Sequence, residues 1–107
     1  MPFGLTTYQI ELILDLVNQY PQINQVMIFG SRAMGIEKKG SDIDLAIVGD
    51  LNLRLLSNIK YRLEEDLSIP FFFDVIDYNS INNSELKDHI DQFGKIIFSR
   101  SREKVKP

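Results

Sequence analysis

Gly30-Ser31, then ten residues, then Asp42-Ile43-Asp44 is the part of this chain whose residue types and spacing most readily carry chemistry. Gly30 closes a short apolar run, Gln25-Val-Met-Ile-Phe29, at a point where a residue without a side chain lets phosphate oxygens approach the backbone. Ser31 offers a hydroxyl and an amide to the same oxygens. Asp42 and Asp44 stand two apart in what reads as a strand, so both carboxylates leave one face and can share a divalent cation. Each half of the pattern also has an ordinary explanation. Gly-Ser pairs are common turns, and Asp is common at a solvated strand start such as follows Gly40-Ser41.

Asp74 adds a third carboxylate. It interrupts Phe71-Phe-Phe73 and Val75-Ile76, surroundings so apolar that an uncompensated charge there is costly to desolvate. With its strand beside the one carrying Asp42 and Asp44, it completes a three-carboxylate cluster. Such a cluster serves two-metal nucleotidyl transfer, one ion activating the attacking oxygen and the other gripping the triphosphate. Asp77 is the rival, but its odd offset from Asp74 sends it to the opposite face. The chain has no cysteine, which leaves oxygen ligands or the single histidine, His89, for any metal, and oxygen ligands favour hard cations such as Mg²⁺.

The elements that must position these groups follow from periodicity. Ile10, Ile13, Leu14 and Val17 recur at helical spacing between Thr6 and Tyr20, with Thr6 or Thr7 as N-cap. Gln25–Phe29 and Ser41–Val48 read as strands, and the connection from Gly30 to Gly40 is too long for a tight hairpin and leaves room for a helical turn. Leu53, Leu56, Ile59, Leu63 and Leu67 form the apolar stripe of a second long helix from Asn52, closed by Pro70. A third strand spans Phe71–Ile76, and a last helix carrying Leu86, Ile90 and Phe93 starts from Asn82-Asn-Ser84 and ends at Gly94. Lys95–Phe98 adds a short edge strand. A helix between the second and third strands makes them parallel, so the expectation is an α/β domain with a small mixed sheet flanked by helices.

A chain of 107 residues supports one modest core, read as a domain over 1–98 with a basic tail over 99–107 holding four of the twelve Lys and Arg. A tail of this kind is ordinarily a solvated terminus. The net charge of −3 argues against a direct nucleic-acid ligand. No apolar run approaches the span of a bilayer, and Met1–Leu5 lacks the features of a signal peptide, from which a cytoplasmic location is expected. A cleft with two walls needs its second wall from a partner or from another copy of the chain. His89, between Asp88 and Asp91, lies outside every motif and reads as a surface histidine; Lys38 and Lys39 read as a solvated loop, and the Phe71–Phe73 run as core with one ring free to face a ligand.

Gly30-Ser-Arg-Ala-Met-Gly35 followed by Ser41-Asp-Ile-Asp-Leu45 resembles the signature of the minimal nucleotidyltransferases of the DNA polymerase beta superfamily, and Phe73-Asp-Val-Ile-Asp-Tyr78 resembles that family's third strand. The resemblance implies a polymerase beta palm-like fold, with Gly30, Ser31 and Arg32 at the nucleotide phosphates. Asp42, Asp44 and Asp74 would be catalytic and would hold two Mg²⁺ ions, with ATP as co-substrate. Arg32 has a second reading, as a brace for its own loop, and Met34 departs from the basic residue often found there. Small members of the family pair with helical HEPN ribonuclease toxins, so the resemblance further implies an antitoxin that transfers AMP from ATP to a tyrosine of such a toxin. The alternatives are a binding module that silences its partner by occlusion, and the nucleotide-binding subunit of a two-chain transferase acting on a small molecule.

Overall fold

The computed structural model describes residues 1–100. Thr6 and Gln9 cap the first helix reciprocally: the Gln9 N–H donates to Thr6 Oγ1 at 3.0 Å and the Thr6 N–H to Gln9 Oε1 at 2.9 Å. That box starts α1 (Thr7–Asn18), which buries Ile13, Leu16 and Val17. Leu16 thus takes the core place that spacing alone assigned to Leu14. Strand β1 (Ile23–Phe29) leads straight into a short α2 (Gly30–Met34), the helical turn expected in the long connection. β2 (Ile43–Gly49), α3 (Leu53–Glu65) and β3 (Phe73–Asp77) form the crossover unit, followed by α4 (Ser84–Phe93) and β4 (Lys95–Ser99). Asn52 and Asn83 cap α3 and α4 by accepting from the N–H groups of Leu55 and Leu86. Leu53, first in the expected stripe of α3, is exposed; Ile59 and Leu63 carry the burial.

The sheet order is β3-β2-β1-β4, with β2 and β3 parallel and β1 antiparallel to both β2 and β4. Across the first three strands the register produces rows of facing residues: Phe29, Asp44 and Asp74, then Ile28, Leu45 and Val75, then Met27, Ala46 and Ile76. Alternate rows face opposite sides of a sheet. The row of Ile28, Leu45 and Val75 packs into the main core with α1 and α3. The rows on either side of it look toward α4, where Phe29, Ala46 and Ile90 make a much smaller cluster. One face of the sheet is therefore fully covered and the other only in part, and Asp44 and Asp74 share the partly covered one.

β3 is an edge strand, and the outward peptide groups of Phe73 have no strand to pair with. Helix α3 meets both. The Phe73 N–H donates to Glu64 Oε2 at 2.8 Å, Lys60 Nζ donates to the Phe73 carbonyl, and Lys60 and Glu64 pair with each other at 3.1 Å. At the far edge Ser99 ends β4, and Arg100 then donates to the carbonyls of Ile23 and Tyr20 and to Asn18 Oδ1, beside the C-terminal end of α1. Ser99 and Arg100, assigned to the basic tail from sequence, thus pack on the body of the domain; the rest of that tail lies outside the described residues. Among the described residues no helix is long and apolar enough to cross a membrane.

The clamp on Phe73 makes a prediction. The Phe73 N–H and then Lys60 hold the Glu64 carboxyl below its ordinary value. A lowered folded pKa means the contribution is present at neutral pH and is lost as the pH falls through that folded value. Glu64→Ala should cost about 1–2 kcal/mol, several degrees in thermal midpoint for a domain of this size. The deficit should shrink in melts recorded at pH 3, and a midpoint unchanged at pH 7 would refute the clamp.

Candidate active site

Gly30 opens α2 with φ +75°, a conformation that side chains resist. A Cβ at this position would also collide with Asp44 Oδ2. The strand register explains the crowding, because Phe29 faces Asp44 directly and the chain turns immediately after it. Glycine is therefore required here for the approach of a carboxylate to the backbone, in addition to any ligand. Gly35, also at positive φ, ends α2 and returns the loop.

Asp44 is half-buried and faces Asp74 across the parallel ladder, while Asp42 lies just ahead of β2 and is exposed. Burial, then the charges of Asp74 and Asp42, push the Asp44 carboxyl up to about 6, with Arg32 opposing the shift. Sequence reasoning placed the desolvation cost on Asp74, amid its phenylalanines. The structure corrects this: Asp74 is exposed, because Phe73 and Val75 alternate to the core side, and the cost falls on Asp44 under the Gly30 turn. Asp77 points away, accepting from the Asn79 N–H and the Ser80 hydroxyl to cap the turn after β3. The two thus lie on opposite faces of the strand, as alternation predicts.

Arg32 is 3% exposed. Its Nε and Nη2 donate to the Ser41 carbonyl at 3.2 and 2.6 Å, Nε also meets the Asp42 carbonyl at 3.2 Å, and Nη1 reaches the carbonyls of Phe3 and Gly4 at 2.8 and 3.3 Å. The guanidinium lies 4.5 Å from the centre of the Phe71 ring. Its donors are thus directed to backbone carbonyls rather than to a phosphate, and the bracing role is the one the geometry supports. The brace fixes the strand entrance that presents Asp42. Of the remaining candidates, Lys38 and Lys39 are exposed, Phe73 is core, Phe71 lies under Arg32 and Phe72 is exposed.

His89 corrects a second expectation. It is not a free surface histidine: Nε2 accepts the Gly30 N–H at 3.0 Å, and the ring packs edge-on to Phe29 and against Phe93 at centroid distances of 6.2 and 5.4 Å. No local pattern in α4 announces a contact with a turn 59 residues away.

The ion pairs of the described residues are Lys60–Glu64, Arg62–Asp66 and Lys87–Asp91, and none involves Asp42, Asp44 or Asp74. Three oxygen donors without a paired cation, one of them kept hard to ionise, suit a hard divalent ion. No three carboxylate or imidazole side chains among the described residues are already drawn together as a metal site. Mutual repulsion accounts for that spread. The carboxylates stand on an open sheet face, whereas a cavity of about 480 Å³ lined by Gln22, Asp50, Asn52, Arg54, Leu55 and Asn58 lies toward the other end of β2.

A mixed α/β sheet that brings a glycine-serine turn against paired acids on its open face defines a domain of the nucleotidyltransferase type. The family model for polymerase beta nucleotidyltransferases matches residues 11–103, and the chain belongs to that family. No curated protein matches it in sequence. Among solved structures it is similar to a toxin-antitoxin complex with AMP-PNP, at 22% identity and a TM-score of 0.68 over 90% of this chain and 75% of the other. It is also similar to the MntA-HepT toxin-antitoxin, at 19% and 0.68 over 89% and 74%. A third likeness is to a tri-AMPylated Shewanella oneidensis HEPN toxin in complex with its MNT antitoxin, at 19% and 0.66 over 90% and 74%. At these identities the likeness establishes a common fold.

Two substitutions check the geometry. Since Asp44 is raised from 3.8 to about 6, its charge opposes folding above pH 6 and this cost disappears below pH 4. Asp44→Asn should therefore raise the thermal midpoint at pH 7.5 in metal-free buffer and leave it unchanged near pH 3.5, after allowance for the same substitution at exposed Asp42. Gly30→Ala should cost at least about 1–2 kcal/mol from backbone strain alone in chemical denaturation. A neutral result would contradict the placement of Asp44 against the turn.

Proposed function

We propose that the chain is a Mg²⁺-dependent nucleotidyltransferase that acts as an antitoxin, transferring AMP from ATP to a tyrosine hydroxyl of a HEPN-type ribonuclease partner. The observation that carries the reading is the placement of Asp44 and Asp74 side by side on a partly covered sheet face, with Asp44 directly against Gly30. Ser31 presents its hydroxyl and amide to the triphosphate, and the start of α2 gives those groups a common direction. Asp42, Asp44 and Asp74 would hold Mg²⁺, which when bound would offset the charge of the triphosphate and lower the pKa of the acceptor hydroxyl. The acceptor oxygen bonds to the α-phosphorus, the α–β bridge breaks and pyrophosphate leaves. Asp74, exposed at the outer side of the row, would be the carboxylate nearest an incoming acceptor and would take its proton. Arg32 holds the entrance of β2 from behind.

An open face without its own second wall suits a macromolecular acceptor, since a partner would bring both the hydroxyl and the missing wall. The similarity to toxin-antitoxin complexes, one of them containing a tri-AMPylated HEPN toxin, supports that partner class, and the one with AMP-PNP supports an adenine nucleotide.

With α-labelled ATP, Mg²⁺ and the protein encoded beside it, the chain should label that protein on tyrosine, as read by autoradiography and peptide mass spectrometry. Changing Asp42 and Asp44 together to Asn should reduce labelling to background. Full labelling by that variant would overturn the assignment of the metal ligands. A variant that labels nothing yet still silences the ribonuclease at one-to-one stoichiometry would favour occlusion.

A further inference from the structure

The Gly30 amide is the first donor of the turn that the proposed function gives to the triphosphate, and in this structure it is already taken by His89 Nε2 at 3.0 Å. That bond fixes the imidazole chemically as well as spatially. A ring nitrogen that accepts a hydrogen bond carries no proton, so the proton of the neutral ring sits on Nδ1. The ring itself is held by an edge-on contact with Phe29, the residue just before the turn, and by Phe93 one helical turn further along α4. Phe29 in turn faces Asp44, whose Oδ2 occupies the space a Gly30 side chain would need. His89, the Gly30 peptide and Asp44 are therefore stacked in order, each limiting the movement of the next.

We infer that His89 is a positioning residue for nucleotide binding, acting through the Gly30 N–H to hold the Gly30-Ser31 turn open beside Asp44. The inference rests on the proposed function for the identity of the ligand, and goes beyond it in two respects. It removes the Gly30 amide from the set of phosphate donors, leaving the hydroxyl and amide of Ser31. It also makes α4, an element with no motif of its own, part of the site.

Packing and hydrogen bonding are separable here. Phenylalanine at position 89 keeps an aromatic ring between Phe29 and Phe93 but cannot accept from Gly30, whereas glutamine loses the ring and keeps an acceptor near the same place. The probe is ATP with a non-cleavable α,β bridge, in Mg²⁺, titrated calorimetrically into His89→Phe, His89→Gln and the unchanged full chain. Thermal midpoints are measured alongside, with the Gly30 amide followed by ¹H–¹⁵N NMR and hydrogen exchange. Loss of one hydrogen bond that orders the turn should weaken binding about tenfold in His89→Phe. The Gly30 amide should then exchange faster, and His89→Gln should recover most of the affinity and the protection. Equal affinity in His89→Phe and the unchanged chain would overturn the inference. So would equal weakening in both variants, which would mean that only ring packing matters. Failure of the unchanged chain to bind the analogue would instead defeat the proposed function, and the Gly30 exchange rates would still decide whether His89 holds the turn.

Discussion

Asp44 has almost no freedom. Strand pairing sets it opposite Phe29 on one side and Asp74 on the other, and the turn after Phe29 folds the Gly30 backbone onto its carboxylate. A charged group in that position is partly stripped of water and repelled by its neighbours, so it is expensive to ionise. The surrounding sequence bears the marks of accommodating it. Glycine stands at the point of contact, β2 is otherwise buried through Leu45, Ala46 and Ile47 so that the strand cannot slip, and the opposite face of the sheet carries nearly all the apolar packing. Most of the apolar packing thus lies on one face, and the candidate site on the other.

The supports of that arrangement are made largely from backbone. Arg32 binds carbonyls of the N-terminal turn and of the entrance to β2, and Lys60 with Glu64 binds the outward N–H and C=O of one β3 residue, Phe73. His89 binds an amide. Each device fixes where a strand or turn lies by bonding to main-chain groups. Phe3, at φ 60°, shows that the N-terminal turn accepts some backbone strain to deliver its carbonyl to Arg32.

Much of this was legible in the sequence, and the parts that were not share a cause. Helices and strands followed from periodicity because their apolar faces repeat locally: Ile13 and Val17, Ile59 and Leu63 were all visible that way. The choice of Asp74 over Asp77 followed from alternation alone. Leu16 replacing Leu14, and the exposure of Leu53, were missed because a stripe constrains a helix face only to within a neighbouring position. The charge cost was misassigned because sequence neighbours predict hydrophobicity along the chain, whereas burial in a sheet depends on which face the row occupies. His89 was missed for the strongest form of the same reason. Its partner is a main-chain N–H, which leaves no residue type to recognise, and the two lie on elements that meet only after the sheet has formed.

The β3 peptide held by Lys60 and Glu64 bears on how another molecule could approach. A strand offered to that edge would find the outward groups of Phe73 already bonded and two charged side chains in its path. Sheet extension, a common route by which proteins join, is therefore disfavoured on the side nearest Asp74. The partner proposed above would then come down onto the open face and present a side chain, the orientation in which a single hydroxyl, rather than a stretch of backbone, would be the first group to arrive.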